Sequence, residues 1–245
     1  MSYTYKYPHP AIAADCLVFS FDGQELNVLL IERGSEPCKG MWAFPGGFMN
    51  IDETAEECAT RELKEETGLD VCGLKQLGAF SAVHRDPRER VVSVAFYVLV
   101  SPSAVSGGDD ARDARWFPIQ KLPPLAFDHE NILRKALLQL RKDSYFEPVG
   151  LELLPREFHI GDLRRLYEAI LGVQLDHRNF ERKILKTGVL QIVDDEEDNS
   201  CFVNFDREES RSCQRKKPEQ KAKKYAFDKN RYNHFKQNND FRFEL

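Results

Sequence analysis

The most constraining feature of this sequence is a group of acidic residues with regular spacing near position 60. Glu65 and Glu66 follow Glu62 by three and four positions, and residues at that spacing share one face of an α-helix. A helix is predicted over residues 54–67, because Gly68 follows where a C-cap glycine belongs. Apolar residues recur every four positions along one side of it: Ala55, Ala59 and Leu63. We therefore expect a helix that gathers three carboxylates.

Three neighbouring carboxylates repel one another unless a cation neutralises them. Carboxylate oxygens are the ligands that Mg²⁺ and Mn²⁺ prefer, so this helix predicts a divalent metal site. Arg61 precedes Glu65 by four positions and is expected to pair with it and fix its orientation. The glycines of the turn at 45–47 would let a backbone carbonyl, that of Gly46, approach the metal. For the charge run taken alone, an ordinary solvated helix is the alternative.

The glycines and the acidic residues together match the Nudix box, G-x5-E-x7-R-E-U-x-E-E-x-G-U with U aliphatic, at every fixed position from Gly47 to Leu69. The sequence thus resembles Nudix hydrolases, whose metal ions bridge the phosphates of a nucleoside diphosphate linked to another group and activate a water molecule. The resemblance implies the metal ligands Gly46, Glu62, Glu65 and Glu66. It implies a catalytic set formed by Glu53, Arg61, Glu62, Glu65 and Glu66. The general base varies in the family, and the candidates here are Asp86, Glu89 and Glu130.

Three further segments resemble ADP-ribose-type Nudix proteins that carry a C-terminal winged helix: residues 84–94, 127–133 and 153–185. This resemblance implies ADP-ribose as the first-choice substrate, cleaved to AMP and ribose 5-phosphate. Its phosphates would be held by charge-assisted forks of Arg85, Arg88 and Arg90, and a solvated hairpin loop is the alternative for each arginine. Several such proteins are transcriptional regulators. One alternative function is therefore a non-catalytic regulator that senses ADP-ribose or a sugar such as arabinose. Another is a housekeeping hydrolase whose second domain only packs or dimerises.

The second half of the chain predicts a helix-turn-helix. One helix is predicted over 162–171, with Asp162 as its N-cap and Gly172 at its end. A connection of a few residues leads to a second helix over 177–186, which Asp176 caps. This order of helix, short turn and helix is typical of DNA-binding domains.

Two strands of a wing are predicted at 189–193 and 223–227, with an insertion at about 194–214. Basic side chains on the second helix recur away from its apolar side, as in a helix that enters the major groove. The residues expected to contact double-stranded DNA are Arg178, Arg182, Lys183, Lys186, Lys216 and Lys217. A solvated helix followed by a loose tail is the alternative.

The first half of the chain alternates strand-like runs with amphipathic helices. Apolar runs at 7–20 and 26–33 about an Asp-Gly turn predict a β-hairpin. Further strands are predicted at 41–48, 71–83, 91–100 and 114–118, and a further helix at 131–141. We expect an α/β fold: a Nudix α/β/α sandwich with a mixed sheet over 1–148, and a winged helix-turn-helix domain over 149–245, joined by a linker at 146–155.

The net charge of −5 is unevenly distributed. Residues 207–245 hold 12 lysines and arginines against 6 aspartates and glutamates, which leaves −11 for residues 1–206. A basic end on an acidic body favours contact with a polyanion, and a solubilising tail is the alternative.

Other bulk features exclude several classes of protein. No apolar run approaches the roughly 20 residues that span a bilayer, and no signal peptide is predicted. The six cysteines contain no C-x-x-C pair, so neither disulfides nor a zinc site is expected. We expect a cytoplasmic protein that does not bind membranes. We also expect a homodimer, since regulators bind near-palindromic DNA sites as dimers.

Overall fold

The computed structural model describes residues 6–105, 107–108, 111–193 and 223–237. The strands are β1 Ala11–Phe21, β2 Leu26–Arg33, β3 Trp42–Ala43, β4 Gly46–Phe48, β5 Lys75–Phe80, β6 Val91–Leu99, β7 Ala111–Pro118, β8 Leu190–Val193 and β9 Lys224–Phe227. The helices are α1 Ala55–Thr67, α2 His129–Phe146, α3 Ile160–Leu171, α4 His177–Lys186 and α5 Lys229–Gln237, with a 3₁₀ turn at Leu151–Leu153. Helix α5 was not predicted.

Strands β1 to β7 form one mixed sheet in the order β3-β2-β1-β6-β5, with β4 paired to β1 and β7 paired to β2. β1 and β2 form the antiparallel hairpin that the Asp-Gly turn predicts. β1 and β6 run parallel along residues 11–19 and 91–99. β6 therefore lies inside the sheet, as its nearly continuous apolar sequence indicates.

Helices α1 and α2 cover opposite faces of this sheet. Successive residues of a strand point to opposite faces, so Cys16 and Val18 of β1 pack in the layer under α1. Leu17 and Phe19 pack in the layer under α2. The predicted α/β/α sandwich with a mixed sheet is thereby confirmed.

Helices α3 and α4 and the antiparallel pair β8–β9 form the predicted winged helix-turn-helix. The bounds of α4 agree with the prediction, and Asp176 caps it by accepting the Asn179 N–H at 2.8 Å. The predicted N-cap of α3 is wrong, because the cap is His159. Asp162 lies three residues later and accepts the His159 N–H at 2.9 Å. An aspartate can satisfy a free amide of the first turn from either position.

The segment 146–155 is not the exposed linker that its two prolines predicted. α2 continues to Phe146, and Val149, Leu151 and Leu154 are buried after it. These side chains belong to the same apolar cluster as Leu166 of α3. Burying this apolar surface joins the sandwich and the winged helix through a shared core.

Among the helices of the described segments, none has the length and apolar character that crossing a membrane requires. Cys16, Cys38, Cys58 and Cys72 are free thiols. Cys201 and Cys213 lie outside the described residues.

Candidate functional site

Local signals set the bounds of the acidic helix α1. Thr54 Oγ1 accepts the Glu57 N–H at 3.2 Å, and Glu57 Oε2 accepts the Thr54 N–H at 2.8 Å. This reciprocal capping box begins the helix. Gly68 ends it in the left-handed conformation at φ 76°. These caps fix where the helix begins and ends, and the predicted ligand carboxylates therefore share one of its faces.

Arg61 joins three of the carboxylates around α1. Its Nη2 lies 2.7 Å from Glu53 Oε1, and its Nη1 lies 2.8 Å from Glu62 Oε1 and 3.0 Å from Glu65 Oε2. The expected pair between Arg61 and Glu65 is therefore present. The hydrogen bond from Arg61 is the main reason that the pKa of Glu53 is lowered to about 2.

Gly46 and Gly47 belong to strand β4, beside β1, and do not form the free turn that was predicted. The Gly46 N–H donates to Glu66 Oε2 at 2.9 Å. A Cβ on Gly47 would lie 2.4 Å from Glu62 Oε1. Glu62 and Glu66 thus close on the glycine strand, and glycine at 47 is what permits this approach. Burial raises the pKa of Glu66 to about 8 and raises the pKa of Glu62 as well.

The donor atoms beside β4 suit a divalent cation. Within the described segments, no three His, Cys, Asp or Glu side chains are gathered closely enough to hold a metal ion. Two of the three predicted carboxylate ligands, Glu62 and Glu65, are paired with the Arg61 guanidinium. Burying carboxylates as anions is costly without a nearby positive charge, and their oxygens are the hard ligands that Mg²⁺ takes. The chemistry of these oxygen donors therefore fits such an ion.

Arg85, predicted to hold phosphate, is buried in an ion-pair network. Its Nη2 lies 2.8 Å from Asp128 Oδ1 and 3.4 Å from Asp15 Oδ2, and its Nε donates to Asp128 Oδ1 at 3.1 Å. Asp15 also accepts the Ser93 hydroxyl. Arg85 therefore ties strand β1 to the residue that precedes α2.

His129, the first residue of α2, anchors the residues before the glycine strand. Its Nδ1 accepts the Phe44 N–H at 3.0 Å, and its ring stacks on the Phe44 ring with centroids 5.0 Å apart. Its Nε2 lies 3.7 Å from Asp15 Oδ1. Burial is the largest cause that lowers the pKa of His129, and the positive charges of Arg85 and Arg33 lower it further. A neutral imidazole is what this position requires, because Nδ1 must keep its lone pair to accept the hydrogen bond from the Phe44 N–H.

A small pocket of about 50 Å³ opens beside the glycine strand. Its walls come from β1 to β4, the 85–88 loop, the start of β6 and the start of α2, and they are formed by Ala13, Asp15, Arg33, Ala43, Phe44, Gly46, Gly47, Phe48, Arg85, Asp86, Arg88, Val91, Phe127 and His129. The fold thus brings Arg85 and Arg88 together with Gly46. Arg90 does not line the pocket, and it donates to the Ala82 and Ser81 carbonyls at 3.1 and 3.0 Å.

Arg88 is engaged by a neighbouring acid and by aromatic rings. Its Nη2 lies 2.7 Å from Asp86 Oδ2, and its guanidinium lies 5.1 Å from the Phe48 ring centre. Burial would raise the pKa of Asp86, but the hydrogen bonds from Arg88 lower it overall. Asp86 is therefore an ionised partner of Arg88. The other predicted general-base candidates, Glu89 and Glu130, are exposed and do not line the pocket.

Among the residues that line this pocket, Asp15, Arg33, Phe127 and His129 were given no role from the sequence. Asp15 is an isolated acid in an apolar run, which is a signal for a buried polar partner. His129 and Phe127 lie in the segment used for the resemblance, without a role assigned to either. Phe127 has a left-handed φ of 54°, which is unusual for a bulky residue and not visible in a sequence. Arg33 is the last residue of β2 and belongs to none of the motifs recognised in the sequence.

A larger cavity of about 630 Å³ lies between residues 70–75, β6, residues 147–151 and α5. Apolar side chains such as Val98, Val149 and Phe227 form much of its wall, and none of the predicted site residues lines it. Volume alone does not make it the active site.

The second helix of the winged domain presents the predicted basic side chains outward. Phe180 and Ile184 are buried on its inner side. Arg178, Arg182 and Lys186 of α4 are exposed, and Lys183 is half-buried. Lys216 and Lys217 and the insertion at 194–214 lie outside the described residues.

Sequence comparison identifies the family. Residues 9–139 match the NUDIX domain family, and residues 150–200 match the NrtR DNA-binding winged helix domain. The chain therefore belongs to the NUDIX domain family, as the box at Gly47–Leu69 predicts. It is a Nudix hydrolase with an NrtR-type winged helix, and this membership implies a divalent metal ion as cofactor.

Individual proteins match either most of the chain or about half of it. The ADPR responsive transcriptional repressor NtrR of Acinetobacter baylyi is 33% identical over 193 residues, which cover 77% of each chain. The ADP-ribose pyrophosphatase of Methanocaldococcus jannaschii is 44% identical over 128 residues, covering 52% of this chain and 73% of that protein. The crystal structure of Shewanella oneidensis NrtR complexed with a 27mer DNA superposes with a TM-score of 0.67 at 27% identity, covering 88% of this chain and 93% of that one.

Proposed function

We propose that this protein hydrolyses ADP-ribose to AMP and ribose 5-phosphate with Mg²⁺ or Mn²⁺. The observation that carries the proposal is the closure of buried Glu66 and half-buried Glu62 on the glycine strand, where Glu66 Oε2 accepts the Gly46 N–H at 2.9 Å. The relative from Methanocaldococcus jannaschii, an ADP-ribose pyrophosphatase, supports this choice of substrate.

The metal would be held by Gly46, Glu62, Glu65 and Glu66. When bound, it supplies a Lewis acid for the diphosphate and lowers the pKa of the attacking water. Arg61 positions Glu62 and Glu65, since its Nη1 lies within 3.0 Å of both carboxylates. Glu53 in turn anchors Arg61 from its other side at 2.7 Å. This chain of contacts orients the ligands before the substrate arrives, which lowers the cost of assembling the site.

The hydrolysis test uses the full chain with ADP-ribose and Mg²⁺, and it measures released AMP. Wild-type protein is expected to form AMP, whereas Glu65→Gln abolishes the reaction because it removes a charged ligand. Glu56→Gln is the matched control, since Glu56 is exposed on the same helix and is not one of the carboxylates that Arg61 pairs with. If the wild-type protein turns over neither ADP-ribose nor a panel of other nucleoside diphosphates, the proposed hydrolysis is wrong. The alternative is then a regulator that binds its effector without hydrolysis.

A second function, regulation of transcription by DNA binding, is favoured by the exposed basic side of α4. We propose that DNA is contacted by Arg178, Arg182, Lys183, Lys186, Lys216 and Lys217. The repressor from Acinetobacter baylyi and the DNA complex of Shewanella oneidensis NrtR support this role. If hydrolysis is absent, ADP-ribose or a sugar would act as effector only.

The proposed organisation follows from this dual role. We propose a sandwich domain over 1–148, a winged-helix domain over 149–245, and a cytoplasmic homodimer. The symmetry of a dimer matches two half-sites on DNA.

The DNA test is a gel shift with the DNA upstream of the protein's own gene. Arg178→Ala combined with Arg182→Ala is expected to weaken binding, because two positive charges leave the groove-facing helix. Arg112→Ala combined with Arg134→Ala removes the same charge from exposed positions outside the winged helix and serves as control. If the first pair binds DNA as tightly as the control, α4 is not the recognition helix.

A further inference from the structure

We infer that Arg33 is the cation that holds a phosphate oxyanion of the substrate, a role that no sequence motif assigned to it. This inference rests on the proposed hydrolysis or binding of a nucleoside diphosphate. It concerns a pocket in which three arginines are present: Arg33, Arg85 and Arg88.

The partners of each arginine distinguish Arg33 from the others. Arg85 is neutralised by Asp128 and Asp15, and Arg88 is neutralised by Asp86. Arg33 forms no ion pair with any residue that the structure describes, and its hydrogen bond goes from Nε to the Pro37 carbonyl at 3.0 Å. The N–H groups of its terminal Nη1 and Nη2 can therefore donate to a ligand.

The backbone and an aromatic ring aim this guanidinium. Arg33 is the last residue of β2, and the register between β2 and β7 shifts between Glu32 and Arg33. Such a bulge redirects the side chain that follows it. The Arg33 guanidinium lies 4.9 Å from the centre of the Phe127 ring, a cation–π contact that holds it in the pocket. The left-handed backbone of Phe127, at φ 54°, places that ring.

The charge balance of the pocket explains why a free cation is needed. A diphosphate is a polyanion, and the carboxylates that would hold the metal beside Gly46 repel it. The Nη1 and Nη2 groups of a guanidinium can donate to two phosphate oxygens at once, with a fixed planar geometry that a lysine ammonium does not have. Arg33 is placed to attract the ligand without first breaking an ion pair, whereas Arg85 and Arg88 would each have to leave a carboxylate unpaired.

The test measures equilibrium binding of ADP-ribose to the full chain in EDTA, so that turnover does not occur, and then KM and kcat with Mg²⁺. Arg33→Met keeps the aliphatic stem and removes the charge, and we expect ADP-ribose affinity to fall roughly 10- to 100-fold. KM rises by a similar factor, with a smaller change in kcat. The ADP-ribose affinity of Arg33→Lys is expected to lie between those of the wild type and Arg33→Met, since lysine keeps the charge and loses the paired donors of the guanidinium.

Arg134→Met is the control, because Arg134 is exposed on α2 and does not line the pocket. If Arg33→Met does not fold, as judged by its unfolding transition, Arg33→Lys carries the same comparison. Wild-type affinity in the Arg33 variants would overturn the inference while leaving the proposed function in place. A wild-type protein that neither binds nor hydrolyses ADP-ribose would overturn the proposed substrate and this inference with it.

Discussion

Replacing Gly47 by alanine should separate function from stability. The added Cβ would lie 2.4 Å from Glu62 Oε1, where ordinary contacts begin at 3.4 Å, so the carboxylate must move by the difference, about 1.0 Å. The displaced atoms are the far end of a flexible side chain, and Glu62 can turn away without moving the backbone. The φ of Gly47 is also outside the left-handed region, so alanine adds no backbone strain.

We therefore expect the free energy of unfolding to change by less than about 1 kcal/mol, because a Gly→Ala change also restricts the unfolded chain by about 0.4–1 kcal/mol. A misplacement of about 1 Å in a catalytic group can cost roughly 100-fold in rate. The kcat for ADP-ribose hydrolysis should fall by about that factor. Urea unfolding and AMP release at saturating Mg²⁺ measure the two effects.

Gly46→Ala provides the contrast. Its Cβ would lie 2.3 Å from the Ala14 carbonyl oxygen, which is backbone inside the sheet and has no room to move. This variant should lose about 1–3 kcal/mol or more. Gly161→Ala, whose Cβ meets nothing closer than 3.9 Å, should keep both stability and activity. Wild-type turnover by Gly47→Ala would refute the reasoning that Glu62 has to occupy this position.

Two further predictions concern the buried polar network beside the pocket. Arg85→Met leaves the Asp15 and Asp128 carboxylates without their shared cation, and urea unfolding should show a loss of about 3–5 kcal/mol; a loss below 1 kcal/mol would contradict the burial of this pair. The second prediction concerns pH: burial lowers the pKa of His129 in the folded protein, so below the ordinary value of 6.5 the unfolded chain binds the extra proton. The stability that His129 contributes is therefore fully present above pH 6.5 and is lost as the pH falls below it. The difference in unfolding free energy between wild type and His129→Gln should shrink between pH 8 and pH 5, and a constant difference would count against this explanation.

Local signals explain why some elements were predicted well. α1 has a capping box at Thr54 and a left-handed glycine at Gly68, and both act within a few residues of the chain. The bounds of α4 were equally accessible from Asp176. The error at Asp162 has the same local origin, because an aspartate at the N-cap and one three residues later both bond free amides of the first turn. The segment 146–155 was misassigned because its prolines are visible in the sequence and the burial of Leu151 is not.

The order of residues by itself determined the acidic helix, the family and the helix-turn-helix, because spacing along one helix or one turn is a property of neighbouring positions. Only the tertiary structure decided which arginines of the pocket are held in ion pairs with carboxylates. Arg85 meets Asp128, 43 residues away, because β1, β6 and the start of α2 converge beside the glycine strand. Arg33 reaches the same pocket from another strand and forms no ion pair with the residues that the structure describes. Charge pairing between distant segments depends on strand order and helix packing, and no local pattern specifies it.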